Sequence, residues 1–104
     1  MTAARTVGDC AQMFHILGDA TRLQLVQTLA KGGACVDDLA KEIHARPARV
    51  SHHLAILRSA SIVQPHREGK RVRYELTKVF HRCVRWGDGA TQLEFPCIGR
   101  VLIK

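Results

Sequence analysis

The chain has 104 residues and a formal net charge of +7, because 16 Lys and Arg residues outnumber 9 Asp and Glu residues. This length indicates one domain with a small core, and the aromatic content of 5% favours aliphatic helix packing over a β-sandwich. No signal peptide and no apolar run long enough to span a bilayer is recognisable, so we expect a cytoplasmic protein that makes no membrane contact.

Helical periodicity predicts two helices at the start of the chain. The first covers residues 7–17 and carries one apolar stripe, formed by Val7, Cys10, Ala11, Phe14 and Leu17. Gly18 ends this helix, and Asp19 caps a second helix over residues 20–30. The second helix buries Leu23, Val26 and Leu29, or the neighbouring Leu25, and it ends at residues 31–33, which include two glycines.

A short third helix is predicted over residues 36–44, with Asp37 and Asp38 in the first turn, where the helix dipole favours acids. A fourth helix begins at Pro47, because proline lacks an N–H that would have no intrahelical partner there. Its buried stripe is Val50, Leu54 and Leu57. Two helices joined by a turn of three or four residues, the second one basic, form a helix-turn-helix.

The other face of the fourth helix carries cations, a hydroxyl and an imidazole near its N-terminus. These residues are Arg46, Ala48, Arg49, Ser51 and His52. The first turns of a recognition helix reach bases and phosphates in the major groove, so we predict that these residues contact both. Residues 44–74 hold seven Arg and Lys residues and one acid, which favours a nucleic-acid partner. A solvated basic surface helix is the alternative.

A β-hairpin is predicted over residues 62–76, because Val72, Tyr74 and Leu76 alternate with polar residues and Gly69 occupies the turn. Its basic tip is typical of a wing that lies over DNA phosphates or in a minor groove. The residues predicted to hold the DNA backbone are Arg67, Lys70, Arg71 and Arg73.

Thr77 is predicted to cap a last helix that ends near Gly87 and buries Val79, Phe80, Cys83 and Val84. Residues 1–90 would then form the domain. The apolar tail over residues 91–104 is expected to dock on it as an extended segment.

The chain resembles the ArsR/SmtB family of winged-helix, metal- and redox-responsive transcriptional repressors. The resemblance covers roughly residues 13–80 and is carried by three motifs. They are Leu17-Gly-Asp-Ala-Thr-Arg22, Val50-Ser-His-His-Leu54 followed by Leu57-Arg58, and Arg67-Glu-Gly-Lys-Arg-Val-Arg-Tyr74. It implies a mainly α winged helix-turn-helix with a β-hairpin wing, in the order α-α-α-α-β-β-α.

The resemblance also implies a homodimer formed through the first and last helices. The apolar stripes of these helices are larger than one small core needs, and an exposed apolar stripe favours a partner. A dimer presents two recognition helices to successive major grooves, so double-stranded DNA with an imperfect palindromic operator is the expected partner. The predicted interface comprises Val7, Phe14, Leu17, Val79, Phe80, Cys83 and Val84.

The four cysteines are widely spaced and include no C-x-x-C pair, so we expect thiols in a reducing compartment. Family members that sense thiophilic metals on the third helix carry Cys-Val-Cys-Asp-Leu, whereas this chain has Asp37 in place of the second cysteine. We predict that Cys35 is the switch, with Cys97 or Cys10 as its partner. These thiols would bind a thiophilic metal or metalloid ion, or form a reversible disulfide.

The sequence therefore predicts a DNA-binding repressor that is released from its operator by cysteine chemistry. One alternative is the same repressor with inert cysteines, each serving as a small apolar residue. Another is a winged helix used as a protein- or RNA-interaction module. The family's zinc site across the last helices is not expected, because that helix offers only His81. Catalytic constellations are also missing from the sequence, so we do not expect an enzyme.

Overall fold

The computed structural model describes residues 7–81, 84–87, 90–95 and 99–103, with side chains for residue 8 and residues 11–81. Within these residues, five helices and six strands follow one another. The helices are α1 (Val7–Leu17), α2 (Ala20–Lys31), α3 (Val36–Ile43), α4 (Pro47–Ser59) and α5 (Lys78–His81). The strands are β1 (Ala34–Cys35), β2 (Val63–Glu68), β3 (Arg71–Leu76), β4 (Val84–Gly87), β5 (Ala90–Phe95) and β6 (Gly99–Ile103). The predicted winged helix-turn-helix fold is confirmed.

The ends of the helices follow from local chemistry. Asp19 caps α2, since its carboxylate accepts a hydrogen bond of 3.1 Å from the backbone N–H of Arg22. Gly32 ends α2, and its N–H donates to the carbonyl of Leu29. Helix α3 ends at His44, which adopts the left-handed conformation with φ of 56°. The chain then turns through two residues into α4, which begins at Pro47.

The core lies between α2, α3, α4 and the first strand of the hairpin. Its most buried side chains are aliphatic, namely Leu25, Val26, Leu39, Val50, Leu54, Leu57, Ile62 and Val63. The predicted buried stripe of α4 is confirmed. In α2 the alternative residue Leu25 is buried, and Leu23 is half-buried. This core fixes the orientation of α4, because each fully buried aliphatic side chain stabilises the fold by about 1.5–3 kcal/mol.

The wing is a three-stranded antiparallel sheet in the order β1-β3-β2. Strands β2 and β3 pair from Val63 opposite Leu76 to Glu68 opposite Arg71. The turn between them uses Gly69, whose φ of 61° favours glycine. Strand β1 was not predicted, because two residues are too short to show a periodicity. It pairs Ala34 with Tyr74 and Cys35 with Arg73, and so joins the start of α3 to the wing.

The prediction of the last helix is wrong in length, because the helix is much shorter than predicted. Helix α5 contains four residues, and Val84 begins strand β4 instead of continuing the helix. Thr77 does cap α5, since its hydroxyl accepts a hydrogen bond of 3.3 Å from the N–H of Phe80. Strands β4, β5 and β6 form a second antiparallel sheet. Backbone pairing between Val84 and Leu93 explains the difference, because these strand hydrogen bonds outweigh a helical spacing of apolar residues.

The described residues of the tail belong to strands β5 and β6. Residue 90, where the sequence separated a domain from its tail, is the first residue of β5. That division and the docking of the tail stay predictions. Of the helices that the structure describes, none has the length and apolar character needed to cross a membrane.

Candidate nucleic-acid interface

Helix α4 has a buried side and an exposed side, and the exposed side carries the residues predicted to contact DNA. Val50, His53, Leu54 and Leu57 are buried. The exposed side chains include Arg46, Ala48, Arg49, Ser51 and His52. Successive helical residues point about 100° apart, so the buried stripe forces these positions outward. The structure therefore brings all five predicted residues together near the N-terminal end of α4. The opposite side of this helix is buried in the core.

His53 links α4 to α2 through a buried contact. The Nη1 atom of Arg22 lies 3.2 Å from Nδ1 of His53, and His53 is only 7% exposed. Because a guanidinium can only donate, Nδ1 accepts and the ring is neutral with its proton on Nε2. Burial lowers the pKa of His53; nearby Asp19 opposes this effect, and the charge of Arg22 adds to it. The Nε atom of Arg22 donates to the carbonyl of Ile16, so one side chain joins α1, α2 and α4.

A second contact between α2 and α4 involves a predicted DNA-binding residue. The Nη2 atom of Arg49 donates to the hydroxyl of Thr21 at 3.4 Å. Beside this contact lies an open depression of about 520 Å³, between the first half of α2, the α3–α4 turn and the start of α4. Its polar and charged lining consists of Thr21, Gln24, His44, Arg46 and Arg49. The sequence did not indicate Thr21 or Gln24 as site residues, because only the fold brings them next to Arg49.

The wing carries the four predicted cations, and two of them contact acids. Arg67 and Lys70 are exposed near the tip. The Nη2 atom of Arg71 lies 3.2 Å from Oδ2 of Asp38 on α3, and both side chains are more than half exposed. Such an exposed ion pair contributes about 0–1 kcal/mol, so it leaves Arg71 available to a phosphate.

Arg73 packs against the body of the domain. Its Nη1 atom lies 3.6 Å from Oε1 of Glu68. Its Nε atom is buried and has no hydrogen-bond partner among the described residues. The guanidinium covers Gly33 so closely that a Cβ atom at position 33 would collide with it. Arg73 therefore lies where the wing meets the rest of the domain. The alternating pattern of β3 did not predict this position.

Three side chains of the wing form a polar cluster on the β2–β3 pair. The Nε2 atom of His66 lies 2.6 Å from Oε1 of Glu75. The amide of Gln64 donates to the same oxygen at 3.2 Å. The hydrogen bond from Gln64 lowers the pKa of Glu75, and the contact with His66 acts in the same direction. The carboxylate is therefore ionised at neutral pH, and its negative charge is already engaged by these two side chains.

The predicted dimer residues fall into two groups in the structure. Phe14 and Val79 are exposed apolar side chains, at 39% and 37%. Leu17 and Phe80 belong to the core of the protomer, since they are buried at 4% and 6%. Their placement in the core corrects the expectation that these two residues are open to a partner. Val7, Cys83 and Val84 lie outside the described side chains.

Cys35 is the cysteine whose side chain the structure describes, and it is half-buried. It is the N-cap residue of α3 and lies opposite Arg73 in the β1–β3 pair. Within the described side chains, no three His, Cys, Asp or Glu residues lie close enough to hold a metal ion. The side chains of Cys10 and Cys97, the predicted partners of Cys35, lie outside the described part, so this pairing stays a prediction.

The comparisons with known proteins agree with this geometry. The sequence model described as "Bacterial regulatory protein, arsR family" matches residues 19–64. The arsenical resistance operon repressor of Escherichia coli is 39% identical over 67 residues, which are 64% of this chain and 57% of that protein. The transcriptional repressor SdpR of Bacillus subtilis is 31% identical over 75 residues, which are 71% of this chain and 83% of that protein.

Among solved structures, the chain is similar to the homodimeric winged helix-turn-helix DNA-binding domain of Mb0332 from Mycobacterium bovis. The TM-score is 0.63 at 28% identity, and the match covers 67% of this chain and 65% of that one. Several curated relatives are longer, and the chain spans 50% to 57% of the length of three of them.

Proposed function

Because the chain belongs to the arsR family of bacterial regulatory proteins, we propose that it is a transcriptional repressor that binds double-stranded DNA at specific sequences. The observation that carries this proposal is the exposed end of α4. Cations, a hydroxyl and an imidazole are gathered there, on a helix whose opposite side is fixed in the core. A rigid helix with such a face fits the major groove of B-DNA, which offers acceptors and donors on the base edges.

The two basic elements have different roles. Ser51 and His52 lie on the outward face of α4 and can donate to base edges, and the methyl group of Ala48 can contact a thymine methyl. Arg46 and Arg49 flank this face and reach bases or nearby phosphates. On the wing, four cations hold the DNA backbone, namely Arg67, Lys70, Arg71 and Arg73. Backbone contacts of this kind position the protein, and the base contacts select the sequence.

The repressor acts as a homodimer on an imperfect palindrome. Exposure of Phe14 on α1 and Val79 on α5 supports this proposal, because each is a large apolar side chain on an element that the sequence assigned to the interface. The homodimeric state of the Mycobacterium bovis neighbour supports it as well. Two copies related by a two-fold axis would present two α4 helices to half-sites about one helical turn apart.

Cysteine chemistry releases the repressor from DNA. Cys35 supports this proposal by its place, since it is the N-cap of α3, which leads into α4, and it also pairs with the wing strand β3. The similarity to an arsenical resistance operon repressor supports a thiophilic metalloid ion as effector. A disulfide is the other route: two thiols lose two protons and two electrons to an added oxidant such as a peroxide, and one S–S bond forms. A 100-fold loss of DNA affinity needs a coupling of only about 2.7 kcal/mol.

In vitro selection from a random duplex library tests the DNA-binding function. We expect the wild-type protein to enrich one palindromic duplex and to bind it with a steep dependence on salt. A matched pair of proteins, wild type and Arg46→Ala/Arg49→Ala, shows whether enrichment depends on the start of α4. Enrichment of RNA over duplex DNA, or of no sequence at all, would contradict the proposal and favour an interaction module.

A further inference from the structure

We propose that the depression between α2 and the start of α4 binds one phosphate of the DNA backbone, and that Thr21 is the positioning residue that holds Arg49 in it. This inference rests on the proposed DNA-binding function and deepens it, because it gives Arg49 one role instead of two. It also adds α2 to the elements that touch DNA.

The direction of Arg49 on α4 is the first argument. Arg49 and His53 are four residues apart, so they lie one above the other on the same side of the helix. His53 contacts Arg22 of α2, and Arg49 donates to Thr21 of α2. The side chain of Arg49 therefore points sideways toward α2, whereas Ala48 and His52 point outward. A sideways cation at the edge of a recognition helix is in the right place for the strand backbone and not for the base edges.

The chemistry of the depression is the second argument. Of the residues that line it, three carry or can carry positive charge, namely His44, Arg46 and Arg49. The lining contains no carboxylate. The amide of Gln24 adds a neutral donor three residues after Thr21 in α2. Two acids lie close to the lining in the sequence. Asp19, two residues before Thr21, caps α2 by accepting the N–H of Arg22, and Glu42, next to Ile43, is exposed and is not part of the lining. An anion is thus the ligand that this lining favours.

The hold on Arg49 is the third argument. Thr21 is only 9% exposed, so its hydroxyl has a fixed position on α2. One N–H of the guanidinium is directed to this hydroxyl at 3.4 Å, and a guanidinium has five N–H donors in all. The remaining donors stay available to a phosphate oxygen. A side chain held in this way loses less conformational entropy when the phosphate arrives.

The shape of the depression favours a backbone phosphate over free phosphate ion. It is open and has a volume of about 520 Å³, which leaves room for the sugar next to the phosphate. It also adjoins the exposed face of α4, so a DNA strand beside the recognition helix passes over it.

The experiment compares Arg49→Ala, Thr21→Val and Thr21→Ser on the duplex selected by the wild-type protein and on a scrambled duplex. We expect Arg49→Ala to lower the affinity for both duplexes by the same factor. It should also reduce the salt dependence of binding, the slope of log K against log salt concentration, by about 0.9 per half-site. In an ethylation-interference experiment, Arg49→Ala should also remove the interference signal at one phosphate in each half-site. Thr21→Val should cause a smaller loss of affinity that is also equal on both duplexes. In the double variant Thr21→Val/Arg49→Ala, the affinity should be that of Arg49→Ala alone. Thr21→Ser keeps the hydroxyl and should bind like the wild type.

The control is Lys31→Ala, because Lys31 ends α2 about 15 Å from Thr21 and should leave the slope unchanged. Loss of affinity for the selected duplex alone would mean that Arg49 reads a base, and it would overturn the inference. Two results together would instead identify a site for free phosphate and overturn the assignment to DNA. In the first, inorganic phosphate competes with DNA for binding to the protein. In the second, the ethylation-interference pattern of Arg49→Ala is the same as that of the wild type. Failure of the wild-type protein to enrich any duplex would refute the proposed function, whereas the salt slopes on scrambled duplex would still test the phosphate site.

Discussion

Arg22 and His53, which are 31 residues apart in the sequence, meet at 3.2 Å between Nη1 and Nδ1. This contact joins the start of α2 to the middle of the recognition helix. Arg22 also donates to the carbonyl of Ile16 at the end of α1. Three helices therefore depend on one guanidinium, and the neutral state of His53 is a condition of the arrangement.

His53→Leu should destabilise the fold by about 1–3 kcal/mol, because Nη1 of Arg22 loses its acceptor in a half-buried place. His53→Gln should cost less, since its amide oxygen can accept in the same place. Urea unfolding at one fixed protein concentration measures both variants, because the stability of a dimer depends on concentration. Equal stability of His53→Leu and the wild type would contradict a structural role for this contact.

The stability of the protein should fall as the pH is lowered below about 6.5, in part because of His53. Burial lowers the pKa of His53 from its ordinary value of 6.5, so the unfolded chain takes up this proton before the folded protein does. The stabilisation is fully present above that ordinary value and is lost as the pH falls toward the lowered pKa. Urea unfolding of wild type and His53→Gln between pH 5 and pH 8 isolates the contribution, because the other five histidines are common to both. Parallel pH profiles would refute this prediction.

Lys70→Ala should weaken binding to all duplexes about equally and reduce the salt slope by about 0.9 per half-site, since Lys70 is exposed at the wing tip beside Gly69. Fluorescence anisotropy at several salt concentrations measures the slope. Lys31→Ala again serves as the control cation. A loss of affinity that depends on DNA sequence would show that the wing reads bases.

Phe14→Glu should convert the dimer to folded monomers at micromolar concentration. Phe14 is 39% exposed, so the new charge disrupts a contact between protomers and leaves the core of each protomer intact. Sedimentation velocity gives the mass, and circular dichroism checks the fold. Gln12→Glu introduces the same charge at an exposed position of α1 and should stay dimeric. A wild-type monomer at concentrations that saturate DNA would refute the model with two half-sites.

Cys35→Ser should bind the operator normally and ignore every effector. The measurement is operator binding by wild type, Cys35→Ser and Cys97→Ser in the reduced state, after oxidant and with arsenite. Release of Cys35→Ser under both oxidant and arsenite would contradict a switch at this position. The repressor with inert cysteines would then be the better account.

The sequence predicted those parts of the fold that depend on local patterns. The stripe of α4, the cap at Asp19 and the turn at Gly69 each follow from residues close together in the chain. The contact of Thr21 with Arg49 spans 28 residues and has no local signal, so only the structure reveals it. Strand β4 shows the opposite failure: the spacing from Val79 to Val84 fits a helix, but pairing with a strand further along the chain decides the conformation.

Strand β1 has a consequence for the chemical accessibility of Cys35. Only two residue pairs hold it to β3, and these pairs join positions about 40 residues apart in the sequence. The neighbouring β2–β3 hairpin is closed by six pairs that involve residues close in sequence. Amide hydrogens of β1 should therefore exchange with solvent well before those of the hairpin, through a local opening that leaves the core folded. Each such opening exposes the thiol of Cys35 without unfolding the domain. A reagent that is too large to enter the closed structure can react with this thiol only during an opening. The rate of opening is therefore the upper limit on its rate of reaction.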